Sequence, residues 1–232
     1  HCIYHHLTPS IFKDLNEAGI PVVVTAHDLK IACPAYKMMN SKGVCEKCKG
    51  GNFSEVIRNK CIKDSYIGST VVALEAYLYK ALNTYNEYVS HIIAPSKFYR
   101  EKLIEWGIDK EKITYVPNFT KPIPSEYIAD YVGNPLYFGR LSEEKGLFTL
   151  AHAAKLSNVE VDIVGDGPIL LALKKYVAKI KAPINFLGRL GGPDLWRKIG
   201  SARATIIPSE WYENAPMSVL ESFQLERPVV GA

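Results

Sequence analysis

Short, mostly apolar runs alternate along the chain with stretches in which apolar residues return every three or four positions. The runs Val22-Val23-Val24, Ile92-Ile93-Ala94, Ile113-Thr114-Tyr115-Val116, Leu136-Tyr137-Phe138, Val161-Asp162-Ile163-Val164, Ile184-Asn185-Phe186, Thr205-Ile206-Ile207 and Val229-Val230 have the look of strands covered on both faces, as in parallel sheets. Val71, Leu74, Leu78, Ala81 and Tyr85 keep helical spacing and predict a helix over 68–85. Thr8 as N-cap and Pro9 in the first turn predict another over 8–18, stopped by Gly19. Ser96 opens one that runs to 106, with Gly107 as its stop. Further helices are expected over 147–156, 168–180 and 194–199, and from Pro216 onward.

This alternation stands on both sides of a stretch carrying Pro117, Pro122 and Pro124. It predicts an α/β protein with two parallel-sheet domains: 1–118, a linker over 119–132, and 133–232. In such folds ligands sit beyond the carboxyl ends of the strands, so the residues just after each strand carry the chemistry. With 47% hydrophobic and 22% charged residues, the composition excludes disorder, collagen-like repeats and a coiled coil. No apolar run nears the ~20 residues a membrane span needs. The first residues carry no secretory leader pattern. A start at His1 rather than Met, and a stop on what reads as a strand end, lead us to expect a fragment with each domain incomplete.

The net charge of +4 suits anionic ligands but is too small for a nucleic-acid footprint. Its distribution is uneven: Lys37, Lys42, Lys47, Lys49, Arg58, Lys60 and Lys63 crowd the insertion over 33–66. A solvated loop and a membrane- or acceptor-binding surface are both open readings of it. Four of the five cysteines fall there too, Cys33, Cys45, Cys48 and Cys61. Cys45-x2-Cys48 has knuckle spacing, and the two outer thiols can complete a tetrahedral zinc site. Unligated or otherwise paired cysteines are the alternative.

Three strand ends stand out. After Phe138 come Gly139, which lets backbone approach a ligand, and then Arg140 and Lys145, a planar fork and a point charge suited to a diphosphate. After Val164 come Gly165-Asp166-Gly167-Pro168, adequately explained as a tight turn. After Thr205-Ile206-Ile207, Glu213 precedes Pro216 and Glu221 follows it by roughly 7–8 Å of helix, so two carboxylates can grip hydroxyls at two ends of a ligand. Free N–H groups at the helix start between them can receive an anion.

Glu213-x7-Glu221 with its internal Pro216, Gly139-Arg140-x4-Lys145-Gly146, Val164-Gly165-Asp166-Gly167-Pro168 and Phe186-Leu187-Gly188 resemble the donor domain of family 4 retaining glycosyltransferases. Thr25-Ala26-His27-Asp28, Ala94-Pro95-Ser96-Lys97 and Val116-Pro117-Asn118 resemble the first domain of the same family, in the same order. The resemblance implies the GT-B fold of two facing Rossmann-like domains, the first acceptor-side and the second binding a UDP- or GDP-sugar. It implies that Arg140 and Lys145, opposite the acid pair, neutralise the nucleotide diphosphate, and that Glu221 accepts from the ribose hydroxyls. Glu213 would hold the transferred sugar, with the Ala215, Met217 and Ser218 amides near the diphosphate, and His27 would orient donor or acceptor. The Asp-x-Asp motif of metal-dependent enzymes does not occur, so no catalytic cofactor is expected beyond the nucleotide sugar. The implied partners are a saccharide or lipid-linked acceptor and no nucleic acid, in a cytoplasmic protein with peripheral membrane contact at the inner face, acting in cell-surface polysaccharide or glycolipid synthesis. A nucleotide-sugar 2-epimerase of the same fold and a non-catalytic zinc-knuckle module are the competing readings.

Overall fold

A computed structural model describes residues 7–40 and 42–232; the leader reading made on residues 1–6 lies outside them. The chain divides into two compact units, 1–118 and 119–232. In the first, α1 (Ile11–Glu17) leads to β1 (Val23–Thr25), followed by a hairpin of β2 (Met39–Asn40) and β3 (Gly43–Val44). Then come α2 (Ser54–Arg58), α3 (Tyr66–Ala81), α4 (Thr84–Tyr88), β4 (His91–Ala94), α5 (Lys97–Glu105) and β5 (Ile113–Tyr115). Its main sheet is parallel in the order β1-β4-β5, with Val24 beside Ile92 and Ile92 beside Ile113.

Several boundaries differ from expectation for local reasons. The Thr8 hydroxyl bonds the Ser10 hydroxyl at 2.5 Å instead of capping, and Ser10 takes the N-cap position of α1. The helix expected over 68–85 starts earlier, because Ser65 accepts from the Gly68 N–H at 3.2 Å. It then breaks at Asn83, whose φ of 48° is a left-handed turn that asparagine tolerates. Ser96 caps α5 as expected, accepting from the Tyr99 N–H at 3.0 Å. The insertion, expected to be irregular, contains the β2–β3 hairpin and α2.

The second unit contains β6 (Leu136–Phe138), α6 (Leu147–Ser157), β7 (Val161–Val164), α7 (Leu170–Ile180), β8 (Ile184–Gly188), α8 (Gly192–Ser201), β9 (Thr205–Ile207), α9 (Met217–Gln224) and β10 (Val229–Gly231). Its five strands are all parallel, in the order β10-β9-β6-β7-β8. Side chains of β6 alternate between two cores. Tyr137 joins Leu147, Ile163 and Leu173 on one face, and Leu136 and Phe138 join Ile199 and Leu225 on the other. Burial on both faces is why β6 is apolar throughout. The segment expected as a linker belongs to this unit: Ile123, Tyr127 and Ile128 pack on the second core, and the Ile123 N–H donates to Gln224 Oε1 at 2.6 Å. Each unit is therefore a parallel α/β sheet, the class expected. No helix among the described residues is long and apolar enough to cross a membrane.

Candidate functional site

In the second unit the chain starts at the sheet centre, β6, winds outward through β7 and β8, then returns to the far side of β6 as β9 and β10. The order reverses between β6 and β9, so the loops leaving them diverge and open a crevice. A cavity of about 590 Å³ lies there. Of the eight second-unit residues expected around a donor, seven line it: Gly139, Arg140, Lys145, Glu213, Met217, Ser218 and Glu221. Ala215 is not among its lining residues.

The loops that carry these residues are braced by backbone. Gly139 N–H donates to Val164 C=O at 3.0 Å and Leu141 N–H to Asp166 C=O at 2.9 Å, laying the loops after β6 and β7 side by side. At Gly165 the backbone has φ +143°, and a Cβ would stand 1.9 Å from the Gly139 carbonyl oxygen. That glycine serves chain packing, in line with the tight-turn reading. Across the crevice, Glu210 N–H donates to Glu144 C=O at 2.9 Å, which joins the loop after β9 to the loop after β6.

This staple brings together Lys145 and Glu213, which are 68 residues apart, with Nζ to Oε1 at 2.5 Å. Expected opposite the acid pair, Lys145 instead contacts one of its members directly. The Ser209 hydroxyl donates to the same Oε1 at 2.6 Å, and Lys145 Nζ stands 5.2 Å from the Trp211 ring centroid. Burial pushes the Glu213 pKa up, but Lys145, Ser209 and Trp211 together outweigh it and hold the carboxyl below its ordinary value. The Trp211 indole N–H is itself buried with no partner at hydrogen-bonding distance among the described residues, so its pull on that carboxylate is longer-range. Ser209 and Trp211 were not foreseen; the signal was their place in the loop immediately after β9.

Glu221 is different. It lies in the second turn of α9, half-buried, and no described residue bonds or pairs with its carboxylate. Burial alone raises its pKa. A half-buried carboxylate without donors is under-satisfied, and a ligand hydroxyl is what such a group lacks. At the start of α9 no side chain caps the helix, since Pro216 takes the N-cap position and Met217 begins the helix. The first amides therefore have no capping partner at the cavity wall. The Arg140 side chain pairs with no described acid, while its carbonyl is anchored by the Tyr137 hydroxyl at 2.7 Å. Arg189 and Leu190 also border the cavity. By contrast Asp162, the buried acid of β7, is satisfied by Lys198 at 2.5 Å and by Asn134 and Asn185, as a structural acid should be.

His27 belongs to the first unit. It is exposed, just past the carboxyl end of β1, with its N–H donating to the Thr25 carbonyl at 3.1 Å. The four insertion cysteines are free thiols, Cys33 and Cys48 buried. Desolvation raises all three that shift, Cys48 to about 12, Cys61 to about 11, and Cys33 upward. Among the described residues no three His, Cys, Asp or Glu side chains are arranged to hold a metal ion as they stand.

Comparison with known proteins bears on both units. The profile of a family described as Glycosyltransferase Family 4 matches residues 2–122, just over half of the chain. That of "Glycosyl transferases group 1" matches residues 135–232. A GDP-mannose-dependent alpha-mannosyltransferase of Corynebacterium glutamicum is 32% identical over 95 residues, 41% of this chain and 22% of that protein. Anabaena Alr3699/HepE, solved with UDP, superposes with a TM-score of 0.65 at 17% identity over 96% of this chain and 56% of that one. S. aureus TarM, solved with fondaparinux, alpha-GlcNAc-glycerol and UDP, gives a TM-score of 0.56 at 17% identity over 66% of this chain and 31% of its own. At these identities the structural likeness concerns the fold. The chain spans about half the length of HepE and about a fifth of the mannosyltransferase.

Proposed function

The chain belongs to Glycosyltransferase Family 4, and from that premise we propose that its second unit binds a nucleotide-diphosphate sugar for transfer to an acceptor hydroxyl. The observation that carries this reading is the pairing, in one cavity, of a carboxylate without donors, Glu221, with a guanidinium without an acid, Arg140. A nucleotide sugar supplies both missing partners, ribose hydroxyls for Glu221 and phosphate oxygens for Arg140, Lys145 and the uncapped amides of Met217 and Ser218. The amide of Ala215, off the cavity wall, is assigned the same diphosphate only as the next donor in the loop. Glu213, held in place by Lys145 and Ser209, is assigned the hydroxyls of the transferred sugar.

In the reaction the bond between the anomeric carbon and the diphosphate oxygen breaks, and one to the acceptor oxygen forms on the same face. The acceptor proton passes to the departing diphosphate. Fixed cations stabilise the charge that develops on it, the role a divalent metal takes in other transferases. His27 is assigned to orienting donor or acceptor. The acceptor is a saccharide or lipid-linked saccharide, and the work is cell-surface polysaccharide or glycolipid synthesis on the cytoplasmic side, with peripheral contact at the membrane.

The curated relative uses GDP-mannose and HepE is solved with UDP and with UDP-glucose, so both bases belong in the test. Calorimetric titration of UDP- and GDP-sugars into the intact protein should give binding that Arg140→Ala, Lys145→Ala and Glu221→Ala each weaken. Binding undiminished in all three variants would overturn the assignment.

A further inference from the structure

We propose that α3 is the seam of a two-fold dimer, in which the outer face of this helix packs antiparallel on the same helix of a second copy of the chain. The pairing involves only the first unit and stands apart from the nucleotide-sugar reading.

A helix on the surface of a soluble protein turns its apolar stripe inward and its charges outward. In α3 the order is reversed. Ser69 and Ala73 are buried, and Ala73 and Ala76 pack with Phe53 and Val56 of the insertion, so small residues face the protein. The large ones face solvent: Ile67 is 79% exposed, Val71 61%, Leu74 63% and Leu78 54%. The residues whose spacing predicts the helix are thus among those it leaves uncovered. Tyr66, Tyr77 and Leu82 are uncovered too, each 40% exposed or more. The helix has two charged residues, Glu75 and Lys80, and both are engaged within the chain. Lys30 pairs with Glu75 at 3.0 Å, and Lys80 donates to the Gly50 carbonyl.

Spacing selects another helix as the occupant. Ile67, Val71, Leu74, Leu78 and Ala81 follow steps of four, three, four and three. That is the a/d repeat of a helix–helix seam, carried over two heptads. At 1.5 Å per residue the seam runs about 21 Å.

Area and symmetry fit a second copy. The uncovered side chains of this face present on the order of 800 Å², about one partner's share of a standard interface. Burying about two-thirds of that on each side clears the ~1,000 Å² total that a specific interface needs. A two-fold axis at Leu74 sets that residue against its own copy, Val71 opposite Leu78 and Ile67 opposite Ala81. Bulk then meets a small residue at each end, and every contact occurs twice. Antiparallel packing also sets the positive end of each helix dipole beside the negative end of the other. An anionic lipid surface fits less well. Such surfaces are met by outward lysines, whereas Lys60 lies over the Tyr66 ring, with Nζ 4.3 Å from its centroid, and Lys80 bonds Gly50.

Sedimentation equilibrium of the intact protein at micromolar concentration is the test, and twice the chain mass is expected. Leu74→Glu sets two carboxylates against each other at the axis and should weaken association by about a hundredfold or more. Leu171→Glu, at a residue 75% exposed on α7, should leave the dimer intact. Val71→Glu and Leu78→Lys should each be monomeric alone and should pair when mixed, because antiparallel packing sets one opposite the other. All four changes fall on exposed side chains, so far-UV circular dichroism should match the wild type. Should Leu74→Glu fail that check, the charge-swap mixture decides. A monomeric wild type, a dimer that survives in a folded Leu74→Glu, or a Val71→Glu and Leu78→Lys mixture that stays monomeric would each overturn the pairing. So would a monomeric wild type that co-sediments with phosphatidylglycerol vesicles, which would give the face to lipid instead.

Discussion

The cavity of the second unit and the cysteine insertion of the first both gather reactive side chains, but they are held in opposite ways. The cavity residues ride on loops leaving β6 and β9 and on α9, elements locked by cores on both faces of a five-stranded sheet. Two of their polar groups, Arg140 and Glu221, have no described partner, and removing either leaves the scaffold standing. The insertion is held by a smaller apolar cluster, Cys48, Phe53 and Val56 packed on Ala73 of α3, with Met38 buried beside β2. A change in that cluster falls on the scaffold itself.

The sharpest break of this comparison is Val56→Asp, which buries a lone carboxylate in the insertion's apolar cluster. An unpaired buried charge costs several kcal/mol, a large share of the whole stability of a domain. Limited proteolysis should then cut the first unit at 25 °C while the second survives. Next is Gly165→Ala, which sets a Cβ 1.9 Å from the Gly139 carbonyl oxygen at φ +143°. A loss of about 3 kcal/mol is expected in denaturant unfolding of the second unit, a change inside the scaffold rather than among its spare groups. Glu221→Gln should do the reverse. It should cost nucleotide-sugar affinity of about 1.5–3 kcal/mol, ten- to hundredfold by calorimetry, with stability held or slightly raised.

The smallest effect is on pH. Glu213 has its folded pKa below the ordinary 4.5, so its contribution is present above 4.5 and is lost as pH falls through the lower folded value. Glu221 has its folded pKa above 4.5, so its burial costs stability once pH exceeds that raised value, and the cost fades as pH falls toward 4.5. Two acids of one motif should thus give stability slopes of opposite sign on either side of 4.5. Denaturant midpoints across that range should lose the upper slope in Glu221→Gln and most of the lower one in Lys145→Met. Identical profiles in wild type and both variants would refute the contrast between the two carboxylates.

Much of the architecture was legible in the chain. Each mostly apolar run became a parallel strand, and Ser96 could be read as a cap because capping is a matter of three residues. The helix break at Asn83 was hidden because Tyr85 continues the helical spacing, and spacing does not register a single left-handed residue. The β2–β3 hairpin was hidden because two-residue strands are too short for alternation to be seen. At the candidate site, seven expected residues line one cavity because all follow strand ends of one sheet.

What local pattern by itself determined is therefore the set of elements and the loops that bear the reactive groups, since strand and helix periodicities act over a few residues. Which groups satisfy one another was decided only in three dimensions. Lys145 reaches Glu213 across 68 residues because β6 and β9 are neighbours and Glu210 is stapled to Glu144. Asp162 is closed off by Lys198, and Glu221 is left open. Desolvation and partner distance separate these three acids, and both depend on residues far away along the chain.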